Sequence, residues 1–216
     1  MCPEVTALGE VLVEIMRRDR DVPHGVPGVY LGPYPSGAPA IFIDAAARLG
    51  ASSGFIGVVG GDEFGELLLN RLRRDGVDTG HVRVAEGYTT GTAFVTYQSS
   101  GARRFIFHLR HSAAGQLSPD DVEAGYISGS RVLHVMGSSL AVSESSRRAC
   151  YRAAEVARES GVTVTFDPNL RPELLDVETI REVCGPLLEV SRVVLPSRDE
   201  AAALTGVRDP VEAGRR

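Results

Sequence analysis

The chain has 216 residues, of which 43% are hydrophobic and 24% are charged, an ordinary composition for a folded domain. Its net charge of −5 argues against a general nucleic-acid partner or an anionic membrane surface. No apolar stretch has the length of a membrane span, and no basic flank with an apolar run marks a signal peptide. The cysteines, Cys2, Cys150 and Cys184, are far apart and suit reduced thiols. We therefore expect one cytoplasmic domain over residues 1–216, without nucleic-acid or membrane partners.

Short β-type runs alternate with helical patterns in the first eighty residues. Residues 4–9 predict a first strand, and the apolar run 54–59 is typical of a buried parallel strand. Between them, residues 38–49 predict a helix that is apolar almost all round and therefore buried. Asp62 predicts the start of a second helix, which Gly76 ends. This β-α-β-α order favours an α/β fold with a mostly parallel sheet flanked by helices.

Residues 81–111 interrupt that rhythm. Two β-type runs near 91–98 and 103–109 are separated by a turn and predict an antiparallel hairpin. With short strands near 11–15 and 29–32, the hairpin predicts a small lid sheet drawn from about 11–35 and 88–111. A further β-type run at 82–84 is assigned to neither sheet.

The α/β pattern resumes after the hairpin. Residues 118–121 predict a helix start, residues 143–160 predict a helix capped by Ser143, and another helix is predicted near 177–189. Strands are predicted at 131–135, 162–166 and 192–195. Five parallel strands are thus expected in the main sheet, with helices on both faces.

A tight glycine turn precedes the first helix. Ser36-Gly37-Ala38 lets the backbone turn sharply, and Pro39 fits the first turn of a helix. The free N–H groups at this helix end could face a hydroxyl-rich or anionic ligand. The pattern leaves open whether the turn binds a ligand or only begins a buried helix.

Two polar clusters follow predicted strands, at the edge where open α/β sheets bind ligands. The first is Asp-Pro-Asn-Leu-Arg at 167–171, and the second is Pro-Ser-Arg-Asp-Glu at 196–200. Carboxylate, amide and guanidinium groups suit phosphates and a hydrated magnesium ion. Loop capping and surface salt bridges are the simpler explanation of either cluster alone. Glu14 is either a solvated strand residue or a hydroxyl acceptor inside a cleft.

In order and spacing, these motifs resemble the ribokinase-like carbohydrate kinases of the PfkB type. The motifs that carry the resemblance are Leu8-Gly9-Glu10 with Val13-Glu14, GAPAIFIDAAARLG (37–50), FIGVVGGDEFG (55–65), LRRDGVDT (72–79), TTGTAFV (89–95), HSAAG (111–115), DPNLR (167–171) and PSRDEAAALTG (196–206). The chain looks most like members acting on ketoses or keto-deoxy sugar acids, such as tagatose kinase, fructokinase and 2-keto-3-deoxygluconate kinase. The resemblance implies a Rossmann-like sheet with a β lid over the sugar.

The resemblance also implies an activity, the phosphorylation of a sugar hydroxyl by ATP with Mg²⁺. The residues that it places at the sugar are Glu14, Gly37, Ala38, Phe107 and Arg171. Those that it places near the nucleotide and magnesium are Asp167, Asn169, Ser197 and Glu200, with Glu200 holding the metal through water.

The sequence departs from the family pattern at several of these positions. Ile41 stands where an asparagine usually reaches the sugar, and Glu14 stands where an aspartate is common. Ser197 replaces the asparagine of the magnesium-associated motif, which leaves Glu200 as its retained residue. Phe107 and Leu109 lie near the lid positions where keto-acid kinases carry tyrosine and arginine, so the lid favours a neutral ketose.

The second glycine-rich signature of the family, of the form D-T-x-G-A-G-D, does not occur in residues 1–216. In the family its N–H groups bind the developing charge, and its last aspartate is the general base. We therefore expect the general base beyond residue 216, a C-terminally truncated domain, and no catalysis by this chain alone. Two alternatives stay open: a non-catalytic sugar-binding module that forms a homodimer through the lid, and an unstable remnant.

Overall fold

A computed structural model describes residues 2–215 of the chain. The strands are β1 (Val5–Leu8), β2 (Leu12–Arg17), β3 (Tyr30–Ser36), β4 (Ser53–Gly60), β5 (Val77–Ala85), β6 (Gly91–Tyr97), β7 (Arg103–His108), β8 (Val132–Met136), β9 (Thr163–Asp167) and β10 (Val193–Val194). The helices are α1 (Ala38–Arg48), α2 (Glu63–Arg74), α3 (Ala124–Ser128), α4 (Gly137–Val142), α5 (Glu144–Glu159), α6 (Val177–Val190), α7 (Arg198–Thr205) and α8 (Pro210–Ala213). None of the helices in residues 2–215 combines the length and the apolar character that crossing a membrane requires.

Six parallel strands form the main sheet, in the order β10-β9-β8-β1-β4-β5. Apolar side chains are buried on both of its faces. On one face, Ala7 of β1 and Phe55 of β4 pack with helices α1 and α2. On the other face, Leu8 and Ile56 pack with helices α3, α5 and α6. This layered arrangement confirms the predicted α/β architecture.

The lid is a separate sheet of four strands, in the order β3-β2-β6-β7. Strand β2 runs antiparallel to β3 and parallel to β6, and β6 and β7 form the predicted hairpin. Only three residues separate β1 from β2. The lid therefore starts at the carboxyl end of the central strand of the main sheet, as the predicted lid strands require.

The prediction of five strands in the main sheet is wrong, because β5 adds a sixth at the edge. The polar stretch from Asp78 to His81 hides the apolar alternation of this strand. One side of an edge strand has no neighbour, so polar residues are tolerated there. The short run at 82–84 is the second half of this strand.

Two helix predictions also need correction. Helix α1 is not buried all round, because Pro39, Ala40 and Ile43 are buried while Ile41 is 55% exposed. Only one face of α1 packs against the sheet. The predicted helix start at 118–121 is a single 3₁₀ turn, closed by a capping box between Ser118 and Asp121. Helix α4, directly after β8, has no counterpart among the predictions.

Candidate functional site

A cavity lies between the lid and the carboxyl ends of β1, β8 and β9. The cavity and its mouth together hold about 550 Å³ of empty space. Its lining includes all five residues predicted to bind a sugar: Glu14, Gly37, Ala38, Phe107 and Arg171. The fold thus brings these distant positions together, while their role in binding stays a prediction.

Glu14 projects from lid strand β2 into this cavity. Ser36 Oγ on the neighbouring strand donates a long hydrogen bond, 3.5 Å, to Glu14 Oε2. Burial raises the pKa of Glu14, while the Ser36 hydrogen bond and the charge of Arg103 oppose that rise. The side chain is therefore a cavity group rather than a solvated strand residue, and it can accept a hydrogen bond from a hydroxyl.

Gly37 is the N-cap of α1 and brings that helix close to the end of β1. Its φ angle of 107° lies in the region that favours glycine, and a Cβ would come within 2.5 Å of the Glu10 carbonyl oxygen. The close approach therefore requires glycine. Ala38 follows as the first helical residue, so the N–H groups of the first turn lie at the cavity.

Strand β7 supplies the apolar wall of the cavity. Arg103, Phe105 and Phe107 alternate along one face of the strand, and all three line the cavity with Leu109. The rings of Phe105 and Phe107 stack with their centres 5.1 Å apart. The Arg103 guanidinium lies 5.7 Å from the centre of the Phe105 ring. Arg103 is missing from the predicted site, although its two-residue alternation with Phe105 and Phe107 indicates the same face.

Glu10 and Ser138 form the floor of the cavity, directly beyond β1 and β8. Glu10 is 4% exposed, and its Oε2 accepts a hydrogen bond from Ser139 Oγ at 2.6 Å. Burial raises the pKa of Glu10, and the hydrogen bond from Ser139, the nearby hydroxyl of Ser138 and the charge of Arg171 oppose that rise. Sequence reasoning missed both floor residues as site residues. Their position at the carboxyl ends of strands is the signal that indicates them.

The segment from Asp167 to Arg171 connects the cavity with the second polar cluster. Arg171 lines the cavity, and its Nη1 donates to the Leu170 carbonyl at 2.9 Å. Asp167 ends β9, and its Oδ1 accepts the Asn169 N–H at 3.0 Å. Burial raises the pKa of Asp167, and the negative charge of Glu200 raises it further. The two predicted clusters therefore meet at one edge of the sheet.

Glu200 ties helix α7 to the loop after β9. Its Oε1 accepts the Leu170 N–H at 2.8 Å, and its Oε2 accepts the Ser197 N–H at 2.8 Å. Ser197 Oγ accepts the Glu200 N–H at 3.3 Å in return, which completes a capping box. Both carboxyl oxygens thus have a structural role, as the loop-capping explanation predicts.

The same cluster fits a hydrated magnesium ion. Within residues 2–215 there is no group of three or more His, Cys, Asp or Glu side chains placed to chelate a metal. Mg²⁺ usually keeps several waters and needs only one or two carboxylates. Asp167 and Glu200 supply two interacting carboxyls, and the buried Asn169 Oδ1 has no hydrogen-bond partner in the described residues. A water-mediated ion would use these oxygens without displacing the capping box.

A mostly parallel α/β sheet with a small β lid, and a cavity between them at the carboxyl edge, define a ribokinase-like sugar kinase fold. The family model for pfkB family carbohydrate kinases matches residues 3–215. The chain belongs to this family.

Two relatives carry the names of specific sugar kinases. Fructokinase-1 of Zea mays is 36% identical over 209 residues, which are 96% of this chain and 64% of the relative. The 2-dehydro-3-deoxygluconokinase of Thermoproteus tenax is 36% identical over 217 residues, which are 98% of this chain and 65% of the relative. The chain thus spans less than two thirds of the length of these relatives.

Solved structures show the same fold. An Escherichia coli protein provisionally named ribokinase II, in complex with ATP and Mg²⁺, has a TM-score of 0.89 and 39% identity. The match covers 99% of this chain and 68% of that protein. A fructokinase from Xylella fastidiosa with bound ATP has a TM-score of 0.82 and 26% identity, over 94% of this chain and 64% of its own.

Proposed function

We propose that this chain forms the sugar-binding part of an ATP-dependent kinase that phosphorylates a hydroxyl of a ketose or a keto-deoxy sugar acid. One observation carries the proposal. The cavity lined by Glu14, Phe107 and Arg171 opens beside the cluster of Asp167 and Glu200, at the same sheet edge. The names of the relatives, and the nucleotide and metal held by the E. coli neighbour, support the same activity.

The cavity offers a sugar two kinds of contact. Glu14 accepts a hydrogen bond from a hydroxyl, and the start of α1 at Gly37 and Ala38 adds backbone N–H donors. The stacked side chains of Phe105 and Phe107 offer an apolar surface to the C–H face of the sugar. Phe107 and Leu109 make this wall apolar, which favours a neutral ketose. In contrast, Arg103 and Arg171 in the same lining would suit the carboxylate of a keto-deoxy sugar acid.

Nucleotide and magnesium belong to the neighbouring cluster in this proposal. Asp167, Asn169 and Glu200 would hold Mg²⁺ through its waters, and Ser197 keeps Glu200 in place through the capping box. When bound, Mg²⁺ neutralises charge on the transferred phosphoryl group. Arg171 lies between cavity and cluster, where its guanidinium attracts the anionic phosphate toward the sugar.

Pairing of two copies through the lid, and a cytoplasmic location, stay predictions. Phe94 and Ile106 lie opposite each other on β6 and β7 and are 37% and 54% exposed. An exposed apolar pair on the lid is the feature that would serve such a contact.

Calorimetric titration of residues 1–216 with D-fructose and with 2-keto-3-deoxygluconate tests the proposal. We expect the Glu14→Ala variant to bind about 10-fold more weakly or worse, because a hydrogen bond to a charged group is lost. Glu159→Ala, which removes an exposed carboxyl at the end of α5, is the matched control and should bind like the wild type. Failure of the wild type to bind either sugar would contradict the proposal, and unchanged affinity of Glu14→Ala would remove Glu14 from the site.

A further inference from the structure

The floor of the cavity carries polar groups that the proposed sugar contacts leave unused. Glu10 and Ser138 both line the cavity and are only 4% and 2% exposed. Ser138 Oγ has no hydrogen-bond partner among residues 2–215. Leaving a buried hydroxyl unpaired costs free energy, which a ligand atom in the cavity would recover.

Glu10 can accept further hydrogen bonds. The hydrogen bond from Ser139 Oγ occupies one acceptor position of Oε2, and a carboxyl group offers about four. Burial outweighs the hydroxyls of Ser139 and Ser138 and the charge of Arg171, so the pKa of Glu10 is raised. The remaining acceptor positions of this carboxyl suit the hydroxyl of a ligand in the cavity.

Close backbone packing holds this floor in place. Gly9 has a φ angle of 143°, and a Cβ there would overlap Ser139 Oγ. A Cβ on Gly137 would overlap the carbonyl oxygen of Pro168. The ends of β1, β8 and β9 therefore meet at short range, so Glu10 and Ser138 are fixed before any ligand binds.

We propose that Glu10 and Ser138 form a second polar subsite, which binds one sugar oxygen from the sheet side while Glu14 binds another from the lid. This proposal rests on the proposed function. It restricts the sugar to one whose oxygens can reach both the sheet side and the lid side of the cavity. The other charged groups lining the cavity are Arg103 and Arg171. Both carry only donors, so the charged acceptors for sugar hydroxyls are the two carboxyls.

Titration of residues 1–216 with D-fructose tests this subsite. We expect Ser138→Ala and Glu10→Ala each to weaken binding about 3–10-fold, since each removes one hydrogen bond to the sugar. Glu10→Gln keeps a donor and an acceptor, so it should bind within about 3-fold of the wild type. Ser128→Ala, at an exposed serine on α3, is the matched control. If Glu10→Ala fails to fold by circular dichroism, Ser138→Ala decides.

Monodeoxy-D-fructoses separate binding from a merely structural effect. Removal of the oxygen that the floor contacts should weaken binding to the wild type but cost little in Ser138→Ala, because the partner is already gone. Wild-type affinity in folded Ser138→Ala and Glu10→Ala would overturn the subsite and leave the proposed function intact. Absence of sugar binding by the wild type would overturn both.

Discussion

His134 is a buried histidine in the main sheet whose charge bears on stability. It is 1% exposed, its Nδ1 shares a hydrogen bond with Thr165 Oγ1 at 2.8 Å, and its ring stacks on Phe42 at 3.7 Å. Burial lowers its pKa from 6.5 to about 4. As the pH falls below 6.5, the unfolded chain takes up a proton that the folded protein does not. His134 therefore lowers stability progressively from pH 6.5 towards pH 4.

We predict that this histidine makes the wild type lose about 2 kcal/mol of unfolding free energy between pH 8 and pH 5, beyond the loss in His134→Gln. Urea denaturation of both proteins at the two pH values measures that difference. Taking the difference removes the contributions of carboxyls such as Glu10 and Asp167, whose raised pKa values act in the opposite direction. His111→Gln, at an exposed position, should behave like the wild type. Equal pH dependence in His134→Gln and the wild type would contradict the prediction.

Part of the cavity lining was predictable residue by residue. Glu14, Gly37 and Phe107 were placed by the motifs around them, and the structure gathers them in one cavity. Glu10 and Ser138 were not predicted, because nothing in the sequence distinguishes them from other polar residues near strand ends. Their significance depends on which strand ends converge, which is a property of the folded sheet.

At the scale of elements, Asp62 links the lid to helix α2. It caps the helix by accepting the Gly65 N–H at 2.8 Å, and it also accepts the Thr90 N–H at 2.7 Å and the Thr90 hydroxyl at 2.6 Å. Thr90 directly precedes lid strand β6. Burial raises the pKa of Asp62, but the hydrogen bonds from Thr90 and Gly65 outweigh it and hold the pKa below the ordinary value.

We predict that Asp62→Ala lowers the unfolding free energy by about 2 kcal/mol, the sum of a lost cap and lost charged hydrogen bonds. Urea denaturation measures this loss. Glu63→Ala, at an exposed position in the first turn of the same helix, is the matched control and should stay within about 0.5 kcal/mol of the wild type. A loss for Asp62→Ala no larger than that of the control would show that the link is not stabilising.

Helix and strand types were predicted well where the apolar period was strong. Strand β4 is a continuous apolar run and is buried along its whole length, as expected. Strand β5 was not predicted, because polar residues interrupt its apolar alternation. The exposed side of α1 was not predicted, because it carries apolar residues such as Ile41. In both cases the neighbours in the fold, rather than the local pattern, decide which side is covered.

At the scale of the whole molecule, the order of motifs along the chain indicated the fold better than any single motif. Each motif occurs by chance in many proteins, but their sequence from Gly9 to Gly206 matches one family. The chain spans 64–65% of the length of the two relatives compared above.

We predict that residues 1–216 bind sugar without phosphorylating it at a useful rate. Phosphoryl transfer of this type needs a general base, an anion hole and ATP held in line. The resemblance to the family assigns the base and the anion hole to a pattern of the form D-T-x-G-A-G-D, and residues 1–216 contain no such string. Loss of a general base costs about 10²–10⁴ in rate, and loss of an anion-hole donor costs a further 10²–10³ or so.

A coupled assay with ATP, Mg²⁺ and a panel of ketoses measures this rate, with the full-length maize fructokinase as positive control. The phosphorylation rate of the purified chain should equal the background rate of the assay, while calorimetry still detects sugar binding. That combination separates a missing catalytic motif from a misfolded cavity, because an unfolded chain would lose both signals. Turnover of about one per second, an ordinary rate for an enzyme, would contradict the prediction. It would also point to Glu10 or Glu14 as the base, since these are the two carboxyls lining the cavity.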